Sequence, residues 1–504
     1  METHPLWLEY PLPHFASLDR NVEVDVVVVG AGLTGITTAY LLKQAGRRVA
    51  LLERGRVASA DTARTTAHLT YVTDQRLSEV VDKFGKDAAR AFWEGGAAAI
   101  DQISHLVRET SSECDFRWVN GYLHEPADAA TPEETERLQK DAALAREFGF
   151  DARYVESAPY VKRRGVQFRG QAKFHPRKYL ASLVNAIPGK GSHVFENTDF
   201  EVVEEDPLSV KANGHQIRCM RVVIATHNPL MGEKGVMPAA LFQTKLALYT
   251  SYVLGAKLPA GTLPEALFWD TNNPYQYLRI DDYPDYQYAI FGGEDVKTGQ
   301  EREARAPFAA LEKALMRVLP NAVIDRRWMG QVIETADGLP FIGQNAEHQF
   351  IATGFSGNGL TLGTLGAMMA RDWCVGRSNP WADLLRIDRR PYHGGLWQYV
   401  KENVDYPYYL LRDRLAGVEN GSLEELQPGE GRVMKLDGKK VAAFRNDNGE
   451  ISVCSPVCTH LKCIVHWNAP DRTWDCPCHG SRFHADGAVL SGPAEEPLEK
   501  LTSS

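Results

Sequence analysis

The chain has 504 residues, a length that predicts about three domains rather than one. It carries 65 acidic and 56 basic residues, and the net charge of −9 argues against nucleic acid or anionic lipid as the main partner. No apolar run reaches the roughly 18 residues of a membrane span, and residues 1–20 lack the apolar core of a secretion signal. The sequence therefore predicts a cytoplasmic protein without a transmembrane segment.

Five of the eight cysteines lie close together near the C-terminal end. They are Cys454, Cys458, Cys463, Cys476 and Cys478. In a chain without an export signal, clustered thiols bind a metal more often than they build a disulfide framework. The cysteines thus predict a large domain of ordinary composition, followed by a small domain that holds a metal.

The N-terminal part carries the pattern of a dinucleotide-binding turn. Residues 22–29, VEVDVVVV, predict a strand buried on both faces, and the turn Gly30-Ala-Gly-Leu-Thr-Gly35 and a helix follow it. Gly30 permits the tight turn, Gly32 lets the backbone approach a pyrophosphate, and Gly35 lets the helix pack on the strand. Glu53, at the end of the next strand, is placed to accept hydrogen bonds from an unphosphorylated ribose.

Later segments favour a flavin over a nicotinamide nucleotide. A second glycine-rich turn, residues 353–361, opens a predicted helix whose N-terminus can stabilise negative charge on a reduced flavin. With this turn the chain resembles, over residues 22–375, the FAD-dependent oxidoreductase family of D-amino acid oxidase, glycine oxidase and sarcosine oxidase. The resemblance implies that FAD is bound by Gly30, Gly32, Gly35, Glu53, Arg54, Arg64, Thr65, Thr66, Gly330, Asp337, Gly354, Phe355, Ser356, Gly357, Asn358, Gly359, Leu360 and Thr361.

The resemblance also implies the domain layout. An α/β FAD-binding domain of Rossmann type, made of discontinuous segments, would carry an inserted α+β substrate domain built on an antiparallel sheet. An all-β domain follows, since short strand-like pieces alternate there with turn signals. The expected bounds are about 22–110, 160–240 and 330–375 for the FAD-binding domain, 111–159 and 241–329 for the substrate domain, 376–420 for a linker and 421–501 for the C-terminal domain.

Departures from that family bear on the substrate and on the cofactor linkage. Members that oxidise amino acids tend to carry Gly-Leu-Arg-Pro where this chain has Gly330-Gln-Val-Ile333, and Val332 cannot grip a carboxylate as arginine does. Sarcosine oxidases attach the flavin through a cysteine at the position of Gly330, so that covalent bond is not expected. His68 lies in a loop that carries a histidyl link in some relatives, but the spacing favours an ordinary polar loop histidine. Because no second dinucleotide turn occurs, a separate nicotinamide site is not expected.

The C-terminal domain carries two loops that combine cysteine with histidine, residues 458–463 (CTHLKC) and 476–481 (CPCHGS). Two cysteines with two histidines suit a [2Fe–2S] cluster, and a tetrahedral zinc site is the alternative. The spacing resembles the Rieske family over about residues 421–501, and Gly492-Pro-Ala494 resembles its proline loop. That resemblance implies Cys458 and Cys476 on one iron, His460 and His479 on the other, and a disulfide between Cys463 and Cys478.

The expected midpoint potential of the cluster is intermediate. Histidine ligation places such centres between about −150 and +300 mV. Ser481 can donate a hydrogen bond towards a cluster sulfide and raise the potential. Phe483 stands where the highest-potential members carry tyrosine, so one hydroxyl donor is missing.

The two cofactors together indicate the reaction. A flavin accepts two electrons as hydride and the cluster accepts one, which favours a flavoprotein that discharges in single-electron steps. The leading hypothesis is a dehydrogenase of a small amine or amino-acid-like substrate whose electrons leave through the Rieske centre to a ferredoxin, a cytochrome or a quinone. One alternative is a reductase or monooxygenase in which electrons flow in the opposite direction, from ferredoxin through the cluster to FAD. Another is a non-catalytic redox sensor or electron-transfer module.

The sequence identifies no catalytic base. Weak candidates are Tyr275, Tyr277 and Arg279 on one face of a predicted strand, Tyr288 on a neighbouring strand and His227 after another. Aromatic faces could hold a substituted ammonium by cation–π attraction. Covering a half-buried sheet accounts for the same aromatic residues equally well, and a structural role is favoured for His227.

Overall fold

The computed structural model describes most of the chain. The described residues are 3–127, 131–159, 161–228, 245–301, 303, 305–389, 408–409, 412–414 and 420–501. Within them the chain forms five β-sheets, three in the large N-terminal unit and two in the C-terminal domain. Much of the predicted linker, residues 376–420, lies outside the described residues.

A six-stranded sheet forms the centre of the N-terminal unit. Its strands, in spatial order, are Phe341–Ala346, Gln349–Thr353, Arg221–Ile224, Val26–Val29, Val49–Leu52 and His193–Phe195. All neighbours run parallel except the edge strand Phe341–Ala346. Val26–Val29 and Val49–Leu52 are buried on both faces, as their unbroken apolar sequences predict. The expected Rossmann-type layout is confirmed.

The predicted strand over residues 22–29 is in fact two strands. Val22–Glu23 belongs to a separate four-stranded sheet, and only Val26–Val29 joins the central sheet. The break falls at Asp25, whose carboxylate accepts hydrogen bonds from the backbone N–H and the guanidinium of Arg48. The β-branched residues around Asp25 favour a continuous strand. The strand is interrupted at Asp25 because its charged carboxylate must be hydrogen-bonded to Arg48. The other strands of the four-stranded sheet are His215–Arg218, Leu208–Ala212 and Phe200–Glu205.

A nine-stranded sheet forms the other half of the N-terminal unit. Its strands are Val323–Thr335, Leu246–Pro259, Tyr286–Lys297, Tyr277–Asp282, Ala266–Asp270, Arg117–His124, Gly165–Lys173 and His68–Leu69, with Ala152–Val155 beside Gly165–Lys173. All pairs are antiparallel except Ala266–Asp270 with Arg117–His124, which confirms the expected substrate sheet. Gly165–Lys173 lies in this sheet, although the sequence places residues 160–240 in the FAD-binding domain. Two of its partners, Arg117–His124 and His68–Leu69, are distant in sequence, so spacing alone does not reveal their pairing.

Helices cover both large sheets. The α-helices are Leu33–Gln44, Leu77–Phe84, Lys86–Glu109, Pro132–Glu147, Pro176–Asn185, Ala306–Val318, Gly359–Val375 and Ala382–Leu385, with 3-10 turns at Leu6–Glu9, Asp61–Ala63, Ser356–Asn358 and Leu423–Glu425. Leu33–Gln44, which follows the glycine turn, packs against Gly359–Val375 in the main core. A second core lies between Ala306–Val318 and the nine-stranded sheet. Both helices that open from glycine-rich turns are therefore fixed by apolar burial.

The C-terminal domain consists of two antiparallel sheets, as predicted. One contains Gly431–Leu436, Lys439–Arg445 and Ile451–Cys454, and the other His466–Asn468, Thr473–Asp475, Arg482–His484 and Val489–Ser491. Trp474 and Phe483 are fully buried at the centre of the domain, next to the cysteine loops. Across the described parts of the chain, no helix combines the length and the apolar character needed to cross a membrane.

Candidate functional site

A cavity of about 1660 Å³ lies where the two large sheets meet the C-terminal domain. Its described lining includes the glycine turn after Val29, parts of the strands Leu246–Pro259 and Val323–Thr335, and residues between 488 and 497. Pockets for a single small ligand usually occupy about 300–1,000 Å³. The cavity therefore has room for a large cofactor together with a second, smaller molecule.

The predicted glycine turn has the backbone that a close approach requires. Gly30 adopts φ +96°, and a Cβ there would lie 2.6 Å from the carbonyl oxygen of Ala225. A Cβ on Gly35 would lie 1.8 Å from the carbonyl oxygen of Gly30, which would force the helix off the turn. Gly32 and the N-terminus of Leu33–Gln44 face the cavity, where free N–H groups and the helix dipole favour an anion.

Glu53 lies on the cavity wall beside that turn. Its carboxylate accepts hydrogen bonds from the backbone N–H groups of Ala31 and Gly55, both at 2.9 Å. Burial raises the pKa of the Glu53 carboxyl, and the two N–H groups oppose that rise. The acid is therefore held in place next to the turn, where the sequence predicts a ribose.

Most residues predicted to bind FAD surround the cavity. Its described lining includes Gly30, Gly32, Glu53, Arg54, Arg64, Thr65, Thr66, Gly330, Phe355, Ser356, Gly357, Asn358, Gly359 and Leu360. Gly35, Asp337, Gly354 and Thr361 lie outside that lining. Asp337 forms a buried ion pair with Arg389 at 2.7 Å, so it fixes the chain behind the cavity. Gly354, at φ +74°, has no space for a Cβ, which would lie 2.4 Å from the Thr335 side chain.

One part of the cavity, the Tyr275 compartment, combines aromatic and acidic side chains. The rings of Tyr275 and Tyr277 have centroids 5.7 Å apart. The Tyr275 hydroxyl donates to Asp74 Oδ1 at 3.0 Å, and the Tyr277 hydroxyl is hydrogen-bonded to Ser251 Oγ at 2.8 Å. Asp295 lines the cavity next to Ser251, and its buried Oδ1 has no hydrogen-bond partner among the described residues. The compartment thus offers carboxylate oxygens between aromatic faces.

The titratable groups of the Tyr275 compartment are shifted by burial. Burial raises the pKa of the Asp295 carboxyl to about 6, and the carboxylates of Asp74 and Glu294 add to that rise. Burial also raises the pKa of Asp74, against a hydrogen bond from the backbone N–H of Gly357. Burial lowers the pKa of His68 to about 3, so this imidazole is neutral at physiological pH.

Two of the five weak substrate candidates lie outside the described lining of the cavity. The Arg279 guanidinium donates to the carbonyl oxygen of Ala67 at 2.9 Å and pairs with Asp281 at 3.0 Å, so it joins a strand to a loop. The Tyr288 hydroxyl donates to Asp325 Oδ1 at 2.7 Å. The structure therefore brings Tyr275, Tyr277 and His227 to the cavity, but not the other two candidates.

His227 lies on the cavity wall in a left-handed conformation, with φ +63°. Its Nδ1 is 2.9 Å from Asp61 Oδ2, and the other oxygen of Asp61 accepts a hydrogen bond from the backbone N–H of Gln331 at 3.3 Å. Burial raises the pKa of Asp61, but the contact with His227 outweighs it and the pKa is lowered. The His227–Asp61 pair thus joins two loops at the edge of the cavity.

The four predicted cluster ligands come together between the two loops of the C-terminal domain. Cys458 and Cys476 are buried, and the neighbouring Cys476 side chain lowers the pKa of the Cys458 thiol. The imidazole rings of His460 and His479 have centroids 5.1 Å apart. Both ring nitrogens of His460 are buried without a hydrogen-bond partner among the described residues. Buried polar atoms left in this way fit a site that a metal completes.

A disulfide between Cys463 and Cys478 ties the two loops together, as predicted. The Ser481 hydroxyl accepts a hydrogen bond from the backbone N–H of Ala494 at 3.0 Å and lies next to the Cys458 sulfur. The serine therefore joins the second loop to the proline loop, residues 492–494, beside a predicted ligand.

The C-terminal domain packs on the N-terminal unit through its second cysteine–histidine loop, residues 476–481, and the strand Val489–Ser491. Gln331 Nε2 donates to the carbonyl oxygen of Gly480 at 2.8 Å. Gln300 Nε2 donates to the carbonyl oxygen of Pro477 at 3.1 Å. Arg54 donates to the carbonyl oxygen of Leu490 at 2.9 Å. The domain thus closes one side of the cavity.

Sequence reasoning missed several residues of this contact. Arg64, expected to bind FAD, forms an ion pair at 3.0 Å with the buried Asp471. Asp471 also pairs with the buried Arg482 at 2.7 Å. Among the contact residues, only Gln331 could have been noticed in the sequence, because it lies in the segment that departs from the family pattern. For Asp471 and Arg482 no signal existed, because single charged residues on a surface loop and a strand are common.

A dinucleotide turn on the cavity wall and a site of two thiols and two imidazoles in the adjoining domain define an oxidoreductase with an organic and an iron–sulfur electron carrier. The chain belongs to the FAD dependent oxidoreductase family, whose model matches residues 25–373, and residues 418–502 match the Rieske [2Fe-2S] domain. The family binds FAD and the Rieske domain binds a [2Fe–2S] cluster, so both predicted cofactors are confirmed. This match decides against the zinc alternative.

Known proteins resemble the whole chain or its N-terminal unit. YhfW of Bacillus subtilis (strain 168), named as a Rieske 2Fe-2S iron-sulfur protein, is 30% identical over 497 residues, which cover 97% of this chain and 96% of that protein. Gamma-glutamylputrescine oxidoreductase of Escherichia coli (strain K12) is 23% identical over 421 residues, 80% of this chain and 95% of that protein. The crystal structure of glycine oxidase from Geobacillus kaustophilus matches with a TM-score of 0.58 at 18% identity, over 73% of this chain and 99% of that chain. That structural likeness concerns the fold.

Proposed function

We propose that the protein is a dehydrogenase that oxidises a C–N bond of a small amine by hydride transfer to FAD and passes the electrons singly through the Rieske cluster to an external acceptor. The observation that carries the proposal is the shared cavity, whose described wall includes Gly30 and Gly32 of the dinucleotide turn and Gly492 of the proline loop. A Rieske domain docked at the cofactor cavity favours electron exchange within the chain.

The residues of the cavity wall would hold FAD by backbone and carboxylate contacts. N–H groups that follow Gly30 would face the pyrophosphate, Glu53 the ribose, and the turn at Gly357 the flavin ring. The cluster ligands would be Cys458, Cys476, His460 and His479. When bound, FAD takes up a proton and two electrons together as hydride, and the cluster takes up one electron.

The charge of the cavity supports a cationic substrate. Its described lining contains twelve aspartates and glutamates against six arginines and lysines. In the Tyr275 compartment, Asp74 and Asp295 lie beside aromatic faces, a combination that attracts an ammonium group by ion pairing and by cation–π attraction.

The same compartment disfavours an α-amino acid. Val332 lines the cavity where amino acid oxidases carry an arginine, and its side chain cannot bind a carboxylate. The Arg279 guanidinium is bound to Ala67 and Asp281 and lies outside the described lining. Both observations favour an amine without a carboxylate next to its nitrogen.

Asp295 is the described side chain best placed to accept the proton of a bound ammonium. An amine nitrogen must lose its positive charge before a neighbouring C–H bond can release hydride, because hydride loss itself creates a cation. Asp74 is occupied by hydrogen bonds from Gly357 and Tyr275, and the His68 imidazole is too weak a base. Asp295 retains a buried oxygen with no partner among the described residues, and its pKa of about 6 leaves it ionised at neutral pH.

The test mixes the purified holoprotein anaerobically with three compounds of one carbon skeleton: a primary or secondary amine, the α-amino acid and the alcohol. We expect flavin bleaching with the amine, followed by the paramagnetic signal of the reduced cluster. Bleaching by the amino acid alone would overturn the substrate class. Bleaching without a cluster signal, together with peroxide formation in air, would overturn the electron route in favour of an oxidase. If ferredoxin reduces the cofactors and none of the three compounds does, the result would support electron flow from the cluster to FAD.

A further inference from the structure

The side chain of Gln331 lies between the cofactor cavity and the Rieske domain. Gln331 is only 6% exposed, although it carries an amide. Its Nε2 donates to the carbonyl oxygen of Gly480 at 2.8 Å and to Thr298 Oγ1 at 3.2 Å, while its Oε1 accepts a hydrogen bond from Ser491 Oγ at 3.0 Å. Both hydrogens and the oxygen of the amide are therefore used, and the group has one fixed orientation.

The Rieske partners of Gln331 are neighbours, along the chain, of segments predicted to form the cluster site. Gly480 directly follows the predicted ligand His479, and Ser491 directly precedes the proline loop, residues 492–494. Gln331 itself lines the cavity, next to Gly330. One amide thus joins the cavity wall to the second cysteine–histidine loop and to the residue that precedes the proline loop.

The amide is anchored on the N-terminal side as well. Thr298 Oγ1 is 3.0 Å from Thr250 Oγ1, and Thr250 lies opposite Gln331 in the strand register. All three side chains are buried. A buried amide with complete hydrogen bonding is costly to disturb, because any movement leaves polar atoms unpaired.

Two glycines at the same contact indicate that the docked arrangement is specific. Gly299 adopts φ +79°, and a Cβ there would lie 2.6 Å from the carbonyl carbon of Cys476. Gly480 adopts φ +71°, and a Cβ there would lie 2.7 Å from Leu248 Cβ. The N-terminal unit and the C-terminal domain therefore each have a glycine at a point where the partner leaves no space for a Cβ.

We propose that Gln331 is a positioning residue that holds the Rieske cluster at a fixed position relative to the flavin for electron transfer between them. This inference rests on the proposed function. The transfer breaks and forms no covalent bond: reduced flavin loses one electron and the oxidised cluster gains it. A one-electron acceptor, protein or quinone, then reoxidises the cluster, and a second transfer removes the second electron while the flavin proton passes to water. Gln331 acts on this transfer through Gly480 and Ser491.

The test uses the holoprotein and flash photoreduction of the flavin, which needs no substrate. In Gln331→Leu, a side chain of similar size without polar atoms, we expect the transfer to the cluster to slow by about tenfold or more, because three hydrogen bonds at the contact are lost. We also expect shifted g-values of the reduced cluster, since the carbonyl after His479 loses its donor. The matched control is Gln300→Leu, which removes the hydrogen bond to the Pro477 carbonyl oxygen without touching the Gln331 amide and should change the rate by less than about twofold.

Equal transfer rates and equal g-values in Gln331→Leu and the unmodified protein would overturn the inference. If the unmodified protein itself shows no transfer after the flash, the proposed electron route fails as well, and the two failures are thereby distinguished. Ser491→Ala keeps the result decisive if Gln331→Leu does not fold, because it removes only the hydrogen bond to Gln331 Oε1. We expect it to slow the transfer less than Gln331→Leu and more than Gln300→Leu, and a rate equal to that of the unmodified protein contradicts the proposal.

Discussion

The two cofactor sites of this chain are encoded in different ways. The predicted cluster ligands lie on two loops within residues 458–479, and a disulfide between the loops fixes their separation. The cavity of the FAD domain draws its described lining from residues as distant as Val29 and Pro497. A short motif therefore specifies the first site, whereas the second exists only once two sheets and a third domain have packed together.

This difference has a consequence for mutation. A locally encoded site should be lost when one ligand is removed, without effect on the distant cavity. A site assembled from distant segments should respond to changes in packing that touch no cofactor. Substitutions at each of the two sites can therefore break or sharpen this contrast.

The largest effect is expected for Cys476→Ser. Removal of one thiolate should abolish the cluster, because a [2Fe–2S] centre needs all of its protein ligands. The absorption and the paramagnetic signal of the cluster should disappear, while the ratio of FAD to protein stays unchanged. Cys454→Ser is the control, since Cys454 is a buried free thiol of the same domain and should leave both cofactors in place. Loss of FAD together with the cluster in Cys476→Ser would contradict independent encoding.

The next effect concerns a residue that only tertiary packing brings to the site. Asp295→Asn should lower kcat/KM for an amine by about 100-fold, the usual contribution of a general base. In the unmodified protein kcat/KM should fall as the pH drops below about 6, because the Asp295 carboxyl then becomes protonated. The variant should lack this acid limb. Glu294→Gln removes a neighbouring carboxylate outside the described lining and should retain the limb.

Although Asp295→Asn should lower activity, it should raise the thermal stability of the protein. A carboxyl whose pKa is raised on folding binds its proton more tightly in the folded state, so it lowers stability as the pH rises from its ordinary 3.8 through about 6. Asparagine has no such titration. The Tm of Asp295→Asn should therefore exceed that of the unmodified protein at pH 8 and approach it at pH 4. If the Tm of Asp295→Asn at pH 8 were lower than that of the unmodified protein, the charged Asp295 carboxylate would not destabilise the fold, and this prediction would be wrong.

The dinucleotide turn offers a packing test. In Gly35→Ala a Cβ would lie 1.8 Å from the carbonyl oxygen of Gly30, so the helix must shift away from the turn. Overpacking of this kind costs about 1–3 kcal/mol, which corresponds to a 5- to 150-fold weaker FAD complex. Titration of the apoprotein with FAD measures it, and the cluster signal should persist. Gly55→Ala is the matched control, because its Cβ would lie 3.8 Å from the nearest atom.

The same contrast explains what the sequence could predict. Gly30, Glu53 and the two cysteine–histidine loops follow from spacing along the chain, because their chemistry depends on neighbours within a few residues or one βαβ unit. The contact of Asp74 with Gly357 joins positions 283 residues apart, and no local pattern marks it. Arg279 shows the reverse case, since it shares a strand with the Tyr275 compartment but is bound to backbone carbonyls behind it.

The smallest effect is expected for Phe483→Tyr, which changes the environment of the cluster without changing its ligands. Phe483 is fully buried in the same core as Cys458 and Cys476. A hydroxyl at this position would supply the donor that the sequence lacks, and a hydrogen bond to a ligand sulfur stabilises the reduced cluster. One hydrogen bond of about 1 kcal/mol corresponds to roughly 40 mV for one electron. Voltammetry of the holoprotein should therefore show a midpoint potential higher by that order.

Phe444→Tyr separates the specific effect of a donor from the general effect of a hydroxyl in this core. Phe444 is buried in the same cluster of side chains, but its ring packs against Trp467. We expect an unchanged midpoint potential in Phe444→Tyr and an unchanged flavin potential in both variants. An equal rise in the two variants would mean that polarity anywhere in the core sets the potential. A shift of the flavin potential would mean that the two sites, though encoded separately, are electrostatically coupled across the docked contact.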